Sequence, residues 1–345
     1  MRAVVLVAPG DVQVQSVPDP EIIDPGDAIV AVRQSAICGA DLFPFHGLTP
    51  GFENGTVLGH EFVGEVVEVG AGVQRIRTGE RVVATSTISD GTCDHCVAGR
   101  PSQCRGRSLF GYSGVYPRLD GGQAELVRVP DADRVLMVLD EGVSDEAAIF
   151  LADVLPTGYG ALERAGASLG DSIVVVGCGP VGLMAVLCAS RIASRVIAVD
   201  TIPARRELAE RLGAIAVAPQ DSAALVEEAT RGLGADVVVE AAGSVAALTQ
   251  ALRLVRGRGV VSVVGAHFEP DYPLDNALMF EREISLIFTI GDPFNDRSRL
   301  LDLMSSDDFD PTVVVSHRIP LEEASRAYAL FDAREATKIV LTCSP

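Results

Sequence analysis

The sequence of 345 residues contains one lysine, Lys338, and all its other basic residues are arginines. A single lysine leaves no candidate for the lysine of a phosphate-binding P-loop or of a pyridoxal Schiff base. Basic residues are also few in total, because 28 Lys and Arg stand against 47 Asp and Glu, for a formal net charge of -19. Nucleic acid binding needs a basic surface, so this balance argues against a nucleic acid partner.

The N-terminus, MRAVVLVAPG, has no long apolar stretch followed by a small-residue cleavage site, so we expect no signal peptide. The cysteine count of seven is odd, and without export it predicts a cytoplasmic protein whose thiols are metal ligands or core residues. The longest apolar stretch, residues 172–190, is interrupted by glycines and a proline near its centre. It predicts a buried strand, a tight turn and a buried helix, and no partner membrane is expected.

Two sequence patterns divide the chain. Over the first 150 residues, short runs of alternating apolar residues such as 28–32, 62–69 and 81–84 are separated by turns, which is typical of antiparallel strands. From about residue 156, apolar strands alternate with helices at 173–176, 181–193, 195–199 and 203–212, which predicts a parallel, doubly wound sheet. We therefore predict an α/β protein with domains at 1–155 and 156–289 and a C-terminal segment at 290–345. That last segment should contain a helix over 321–332 and a closing strand over 338–341.

A glycine-rich turn lies between the first strand and first helix of the second domain. Its residues fit the dinucleotide-binding pattern G-x-G-x-x-G, which is meaningful in this strand–turn–helix context. Asp200 ends the next strand, where a carboxylate accepts hydrogen bonds from the ribose hydroxyls of NAD and repels the 2′-phosphate of NADP. NAD is therefore the expected cofactor and NADP the less expected one, although Arg205 and Arg206 lie close enough to serve a phosphate. The predicted cofactor residues of the turn are Gly177, Gly179, Pro180, Val181 and Gly182.

A cysteine-rich loop in the first domain has the spacing of a zinc knuckle. Cys93, Cys96 and Cys104 supply three thiols, and Asp90 stands three residues before Cys93. A carboxylate can ligate zinc, so an Asp/Cys3 structural site is chemically reasonable. The alternative is that these cysteines are free thiols with no metal, while a redox pair is less expected because no thioredoxin-like helix follows.

Taken in order, several motifs resemble the zinc-dependent medium-chain alcohol dehydrogenase/reductase family. They are Cys38-Gly39-Ala40-Asp41, Gly59-His60-Glu61, the cysteine-rich loop, Asp153 with Thr157-Gly158, and the glycine-rich turn. The resemblance covers the whole chain, and residues 151–160 are most similar to the branch of formaldehyde, threonine and polyol dehydrogenases. It implies a GroES-like β-rich catalytic domain and an inserted Rossmann domain.

The resemblance also implies roles for individual residues. Cys38, His60 and Asp153 would bind a catalytic zinc, with Glu61 as an adjacent, exchanging ligand. Asp41 would orient His60, as ligating imidazoles generally require. Further residues would contact the cofactor: Thr157 the nicotinamide, Arg205 the adenosine ribose and Lys338 the pyrophosphate.

The sequence departs from the family at its proton relay. Relatives have a Ser or Thr two residues after the zinc-binding cysteine and a histidine three residues further on, where this chain has Ala40 and Phe43. Neither side chain carries a proton. Water or His46 would complete the relay in an alcohol dehydrogenase; alternatively, the enzyme would reduce a conjugated C=C or a C=N bond, which needs no such relay.

Three functional classes follow from these observations. The favoured one is an NAD-dependent zinc alcohol dehydrogenase acting on a small alcohol, aldehyde or ketone. The second is a zinc-containing NAD(P)H-dependent C=C or C=N reductase, and the third is a non-catalytic nucleotide-binding protein, against which the retained zinc ligands count. The apolar strand at 283–290 predicts an exposed sheet edge, and together with the family resemblance it predicts a homodimer or homotetramer.

Overall fold

The computed structural model describes residues 1–267 and 271–343. The chain forms two compact units, Met1–Asp153 with Asp292–Pro345, and Val154–Gly291. The second unit is thus inserted into the first. The boundaries differ by two residues from those that the sequence predicts, 155/156 and 289/290.

Seventeen strands are described. In chain order they are β1 Arg2–Ala8, β2 Asp11–Ser16, β3 Ala28–Ile37, β4 Glu61–Val69, β5 Arg81–Ala84, β6 Thr87–Ile88, β7 Ser108–Leu109, β8 Leu126–Val129, β9 Leu136–Val138, β10 Ser172–Val176, β11 Arg195–Val199, β12 Ile215–Val217, β13 Ala235–Glu240, β14 Val255–Val263, β15 Ser285–Phe288, β16 Val315–Pro320 and β17 Lys338–Thr342.

Twelve α-helices and six 3₁₀ turns lie within the described residues. The helices are α1 Leu42–Phe45, α2 Asp94–Val97, α3 Ala132–Val135, α4 Asp145–Ala148, α5 Val154–Arg164, α6 Pro180–Ala189, α7 Pro203–Arg211, α8 Ser222–Ala229, α9 Val245–Leu254, α10 Asn276–Arg282, α11 Arg297–Met304 and α12 Ala324–Asp332. The 3₁₀ turns are Gly39–Asp41, Pro101–Gln103, Ile149–Leu151, Pro219–Asp221, Pro311–Val314 and Leu321–Glu323.

The first unit is built on a seven-stranded sheet in the order β16-β17-β3-β4-β5-β9, with β8 also paired to β3. The C-terminal strand β17 is antiparallel to β3, with Ile339 opposite Ile37 and Val340 opposite Ala36. The sheet's apolar side chains form one buried core with those of α12, including Phe62, Phe110 and Tyr328. The last residues of the chain therefore complete the sheet from which the predicted zinc ligands project.

The second unit has a six-stranded parallel sheet in the order β12-β11-β10-β13-β14-β15. Counted along the unit this is 3-2-1-4-5-6, the order of a Rossmann domain, and the order reverses between β10 and β13. The central strands β10, β11 and β13 are rich in Val and Ile and largely buried on both faces, as is typical of parallel strands covered by helices. Their core includes side chains of α9, such as Leu248 and Leu252.

The predicted fold class is confirmed, and most differences concern the ends of elements. The helix predicted over 181–193 ends at Ala189, because the chain turns at residues 190–193 to enter β11. The helix predicted over 321–332 begins as a 3₁₀ turn and becomes α-helical only at Ala324. In the described part of the chain, no helix combines the length and the apolar character that a membrane crossing requires.

Candidate metal centres and dinucleotide site

Two groups of potential metal ligands are brought together in the first unit. One consists of Cys38, His60, Glu61 and Asp153, and the other of Asp90, Cys93, Cys96 and Cys104. In each group, one ligand atom per residue lies within 4.8 Å of the others. These are the two sets that the sequence predicts, and we name them the buried cluster and the cysteine loop.

The buried cluster gathers residues from three separate places in the chain. Cys38 directly follows β3, and His60 and Glu61 lie at the start of the neighbouring strand β4. Asp153 follows the 3₁₀ turn Ile149–Leu151 and is the last residue of the first segment of this unit. The antiparallel pairing of β3 with β4, in which Ala36 faces Glu61, fixes the first three side chains relative to one another.

The geometry of the buried cluster fits a zinc ion. The Oδ2 atom of Asp153 lies 3.5 Å from both the Sγ atom of Cys38 and the Nε2 atom of His60. Ligands about 2.0–2.3 Å from a tetrahedral zinc are separated by roughly 3.3–3.8 Å, so these spacings match two edges of such a site. Glu61 is fully buried, and its Oε1 atom has no hydrogen-bond partner among the described residues. Asp153 alone is partly exposed, at 25% of its side chain.

The electrostatics of the buried cluster also favour a bound cation. Burial, together with the nearby carboxylate of Glu61, raises the pKa of the Cys38 thiol to about 11. A thiolate is the form of cysteine that binds metal, and it is stable here only with positive charge beside it. A divalent zinc ion would supply that charge. Both the donor set and the need for positive charge therefore fit zinc.

A buried network of polar side chains lies behind His60. The Nδ1 atom of His60 lies 3.1 Å from Oδ1 of Asp41, as the family resemblance implies. The Oδ2 atom of Asp41 accepts a hydrogen bond from the backbone N–H of Cys38 and another from Nε2 of Gln123, and Oε1 of Gln123 accepts one from the hydroxyl of Tyr328. Gln123 and Tyr328 were not singled out from the sequence, because only the fold places them behind Asp41.

Lys338 pairs with a residue of the buried cluster, a contact that the sequence does not predict. Its side chain is fully buried in the first unit, and its expected contact with the cofactor pyrophosphate stays a prediction. Its ammonium group pairs with Oε2 of Glu61 and donates to the carbonyl of Ile37 at 3.3 Å. Burial opposes the charge, but Glu61 and the other acidic groups nearby hold the pKa of Lys338 above its ordinary value. The pairing of β17 with β3 is the physical reason for this position.

His46 lies at the surface, and Ser86 lies beside the buried cluster. His46 follows α1, is 43% exposed, and its Nε2 atom lies 2.8 Å from Oδ1 of Asp332. It is not one of the grouped ligands, and its part in proton transfer stays a prediction. Ser86 is buried and its hydroxyl donates to Oδ1 of Asp153 at 3.4 Å, so the structure adds a hydroxyl group to the cluster.

The cysteine loop has the dimensions of a structural zinc site. The sulfur of Cys93 lies 3.5 Å from that of Cys96 and 3.9 Å from that of Cys104, which is close to the roughly 3.8 Å edge of a zinc–sulfur tetrahedron. Asp90 is held by backbone N–H groups of Thr92 and Cys93, which donate to its Oδ1 atom. These hydrogen bonds lower the pKa of Asp90 well below its ordinary value, so it is an ionised carboxylate suited to a fourth ligand.

The glycine-rich turn of the second unit has the shape that a dinucleotide requires. Gly177 has φ of +97°, and a Cβ atom on Gly182 would lie 1.8 Å from the carbonyl oxygen of Gly177. A Cβ atom on Gly179 would meet nothing within 4 Å, so there is open space in front of the first turn of α6. Backbone N–H groups at such a helix N-terminus bind phosphate.

Asp200 is joined to the glycine-rich turn. Its Oδ2 atom accepts a hydrogen bond from the N–H of Cys178, and its Oδ1 atom accepts one from the N–H of Ile202, both at 2.7 Å. The carboxylate therefore fixes the turn to the end of β11, a contact that the sequence did not predict. Arg206 donates to the carbonyl oxygens of Asp200 and Thr201, whereas Arg205 lies half-buried on α7. Thr157 lies on α5 of the same unit.

Comparisons with known proteins agree with this arrangement. The alcohol dehydrogenase GroES-like domain matches residues 24–140, and the zinc-binding dehydrogenase domain matches residues 180–306. A zinc-type alcohol dehydrogenase of Aspergillus flavus is 37% identical, over 99% of this chain and 81% of its own length. The alcohol dehydrogenase of Thermus sp. ATN1 has a similar structure, with a TM-score of 0.95 and 40% identity over 99% of both chains.

The chain belongs to the zinc-dependent medium-chain alcohol dehydrogenase/reductase family. It is a zinc-dependent oxidoreductase with a GroES-like unit and a Rossmann unit. A zinc-binding dehydrogenase structure from Sinorhizobium meliloti, bound to NADP, is 30% identical with a TM-score of 0.87, covering 99% of this chain and 98% of its own. A zinc ion and a nicotinamide cofactor are therefore supported for this oxidoreductase.

Asp90 provides a test of the cysteine loop. The substitution Asp90→Ala removes one of the four predicted ligands, so we expect the purified oxidoreductase to lose about one zinc ion per chain. Elemental analysis after dialysis against a chelator measures this loss. Asp94→Asn is the matched control, because Asp94 lies in the same loop but is exposed and paired with Arg105. Full zinc content in Asp90→Ala, or equal loss in both variants, contradicts the assignment.

The buried pairing of Lys338 with Glu61 gives a second prediction. In Lys338→Met the buried carboxylate of Glu61 loses its cation, and breaking one side of a buried ion pair costs about 3–5 kcal/mol of unfolding free energy. Denaturant unfolding of the zinc-free protein measures this cost. The double variant Lys338→Met/Glu61→Gln removes both charges and should recover most of it. If Lys338→Met is as stable as the wild type and is weakened only in cofactor binding, Lys338 contacts the cofactor pyrophosphate instead.

Proposed function

We propose that this oxidoreductase is an NAD-dependent alcohol dehydrogenase that interconverts a small alcohol and the corresponding aldehyde or ketone. The observation that carries the proposal is the buried cluster, in which Cys38, His60 and Glu61 are enclosed and Asp153 is partly exposed. A zinc ion held by these residues would supply the polarisation of an alcohol or carbonyl oxygen, and a nicotinamide cofactor would supply the hydride chemistry. A catalytic zinc site needs three protein ligands and one open position.

The protein's own residues position these reactants. Asp41 and Gln123 fix the ring of His60, and Lys338 holds Glu61 by one oxygen, so Cys38, His60 and Asp153 are the proposed resident ligands. Glu61 retains an unpartnered oxygen, which supports its proposed role as an exchanging ligand. In the Rossmann unit, the turn at Gly177–Gly182 is proposed to bind the pyrophosphate, with Thr157 at the nicotinamide and Arg205 near the adenosine ribose.

The preference for NAD rests on Asp200. A carboxylate in this position accepts hydrogen bonds from ribose hydroxyls and repels a 2′-phosphate. The adjacent Arg206 is already engaged with two backbone carbonyl groups, which leaves it less available to a phosphate. The Sinorhizobium meliloti protein is bound to NADP, so cofactor preference is to be measured on this chain itself.

The proton of the alcohol needs a route other than the usual relay, because Ala40 and Phe43 cannot carry it. Water or His46 would serve, and the Nε2 atom of His46 lies 2.8 Å from Oδ1 of Asp332. The alternative function, reduction of a conjugated C=C or a C=N bond, needs no relay. Nothing in the comparisons favours this alternative over alcohol oxidation.

We also propose that the chain forms a homo-oligomer through the Rossmann sheet. β15 is the terminal strand of that sheet, and Phe288 on it is 64% exposed, as is Ile290 at 48% just beyond it. Exposed apolar side chains on an unpaired edge favour strand pairing between subunits. We expect the wild type to sediment as a dimer or tetramer and Phe288→Lys to sediment as a smaller species. A monomeric wild type contradicts the proposal.

We propose a cytoplasmic location, since the free thiols of all seven cysteines are consistent with a reducing cytoplasm.

A substrate panel tests the proposed reaction. The zinc-loaded enzyme is assayed at 340 nm with primary, secondary and polyhydroxy alcohols and their aldehydes or ketones, together with conjugated enones, using NAD(H) and NADP(H) in parallel. We expect turnover of at least one alcohol–carbonyl pair, and kcat/KM at least about tenfold higher with NAD than with NADP. Asp153→Ala should lose turnover with every substrate, whereas Asp94→Asn should retain it.

Two outcomes of the panel would overturn the proposal. Turnover of enones without any alcohol or carbonyl activity would assign the alternative reductase function. A higher kcat/KM with NADP would overturn the preference attributed to Asp200. His46→Phe distinguishes the two proton routes, since an unchanged rate and pH profile would exclude His46 and leave water.

A further inference from the structure

An arginine-lined cavity lies in the GroES-like unit, apart from the ligands of both zinc groups. It has a volume of about 410 Å³ and is lined by Arg75, Asp133, Arg134, Phe294 and Arg297. Three guanidinium groups share it with one carboxylate, in a chain whose formal net charge is -19. We call this group of five residues the arginine cavity. Such a local excess of positive charge in an acidic protein needs a physical explanation.

The single carboxylate of the cavity is already engaged elsewhere. Oδ2 of Asp133 accepts a hydrogen bond from the N–H of Gln74, and Oδ1 accepts those of Arg75 and Ile76, at 2.7–3.0 Å. Asp133 thus holds the loop at residues 74–76. Within residues 1–267 and 271–343, no carboxylate lies within 4 Å of the guanidinium nitrogens of Arg75, Arg134 or Arg297.

Arg297 is the most deeply placed of the three arginines. Its guanidinium group donates to the carbonyl of Arg134, but its Nε–H group is buried with no hydrogen-bond partner among the described residues. Burial, together with the like charges of Arg75 and Arg134, lowers the pKa of Arg297 to about 10. A buried donor without an acceptor, next to two more cations, is an arrangement that an anion would relieve.

Arg134 is held in place around the cavity. Its guanidinium carbon lies 4.8 Å from the centre of the Phe294 ring, and its Nε and Nη2 atoms donate to the hydroxyl of Ser89 at 3.3 and 3.2 Å. That hydroxyl is 3.2 Å from the sulfur of Cys96, so the cavity borders the cysteine loop. The ring of Phe294 and Ser89 therefore preorganise one guanidinium group before any ligand arrives.

We propose that the arginine cavity binds a small oxyanion with two negative charges, of the phosphate or dicarboxylate class. The planar fork of a guanidinium group matches phosphate and carboxylate oxygens, and two negative charges balance three arginines and one aspartate. The volume suits a small molecule better than a macromolecule. This inference concerns a site separate from both zinc groups and does not depend on the proposed reaction.

A competing explanation is that the arginines neutralise the cysteine loop. Three thiolates and a carboxylate around Zn²⁺ would carry a net charge of about -2, and Arg134 approaches that loop through Ser89. Arg75, however, lies on the separate loop that Asp133 holds, and no hydrogen bond or ion pair joins it to the four ligands in the described residues. Arg75 therefore separates the two explanations.

The test is titration of the zinc-loaded enzyme with inorganic phosphate and, in parallel, with succinate, by isothermal calorimetry at low salt. We expect saturable binding of at least one of them, with affinity reduced at least about tenfold in Arg75→Ala. Arg77→Ala is the matched control, because Arg77 is exposed on the same loop but does not line the cavity. Phosphate bound in the dinucleotide site would be unaffected by either variant.

The two probes identify the ligand class, because phosphate binding without succinate binding selects a phosphate group and the reverse selects a dicarboxylate. Failure of both probes to bind overturns the proposal, as does binding that Arg75→Ala leaves unchanged. Loss of zinc from Arg75→Ala without loss of anion binding would assign the arginines to the cysteine loop instead. Zinc content and melting temperature of each variant are measured beside the calorimetry, and both should equal those of the wild type.

Discussion

The concentration of acidic groups in the buried cluster is the constraint on which the GroES-like unit depends. Cys38, Glu61 and Asp153 bring three ionisable donors within 4.8 Å of one another, and Asp41 adds a fourth acidic group behind His60. Anions this close in a buried place require positive charge, because neither water nor distance reduces their repulsion. Lys338 provides one cation, and the ligand geometry provides for zinc as the other.

This constraint explains why the end of the chain returns to the first unit. β17 pairs with β3 directly beside Cys38, and the first residue of β17 is Lys338. The insertion of the Rossmann unit at Val154–Gly291 thus separates two parts of one sheet, whose C-terminal part carries the cation that the N-terminal part needs. The sole lysine of an acidic chain lies where the acidic groups are most enclosed.

Much of this could be predicted from the sequence. The cysteine loop and the glycine-rich turn could be predicted because their residues form local patterns, whereas the dispersed residues of the buried cluster were predicted only from the family resemblance. The pairing of Lys338 with Glu61 could not be predicted, because the two residues lie far apart in the sequence and only the strand pairing brings them together. For the same reason, Gln123 and Tyr328 behind Asp41, and the arginines at 75, 134 and 297, carry no pattern in the sequence.

The central claim is that the buried cluster is a metal site distinct from the cysteine loop. Zinc content of Cys38→Ala, compared with the wild type after exhaustive dialysis, tests it most directly, since Cys38 belongs to the cluster alone. The account predicts two zinc ions per chain in the wild type and one in the variant, with the remaining zinc held by the cysteine loop. Two zinc ions retained in Cys38→Ala, or only one in the wild type, would contradict it.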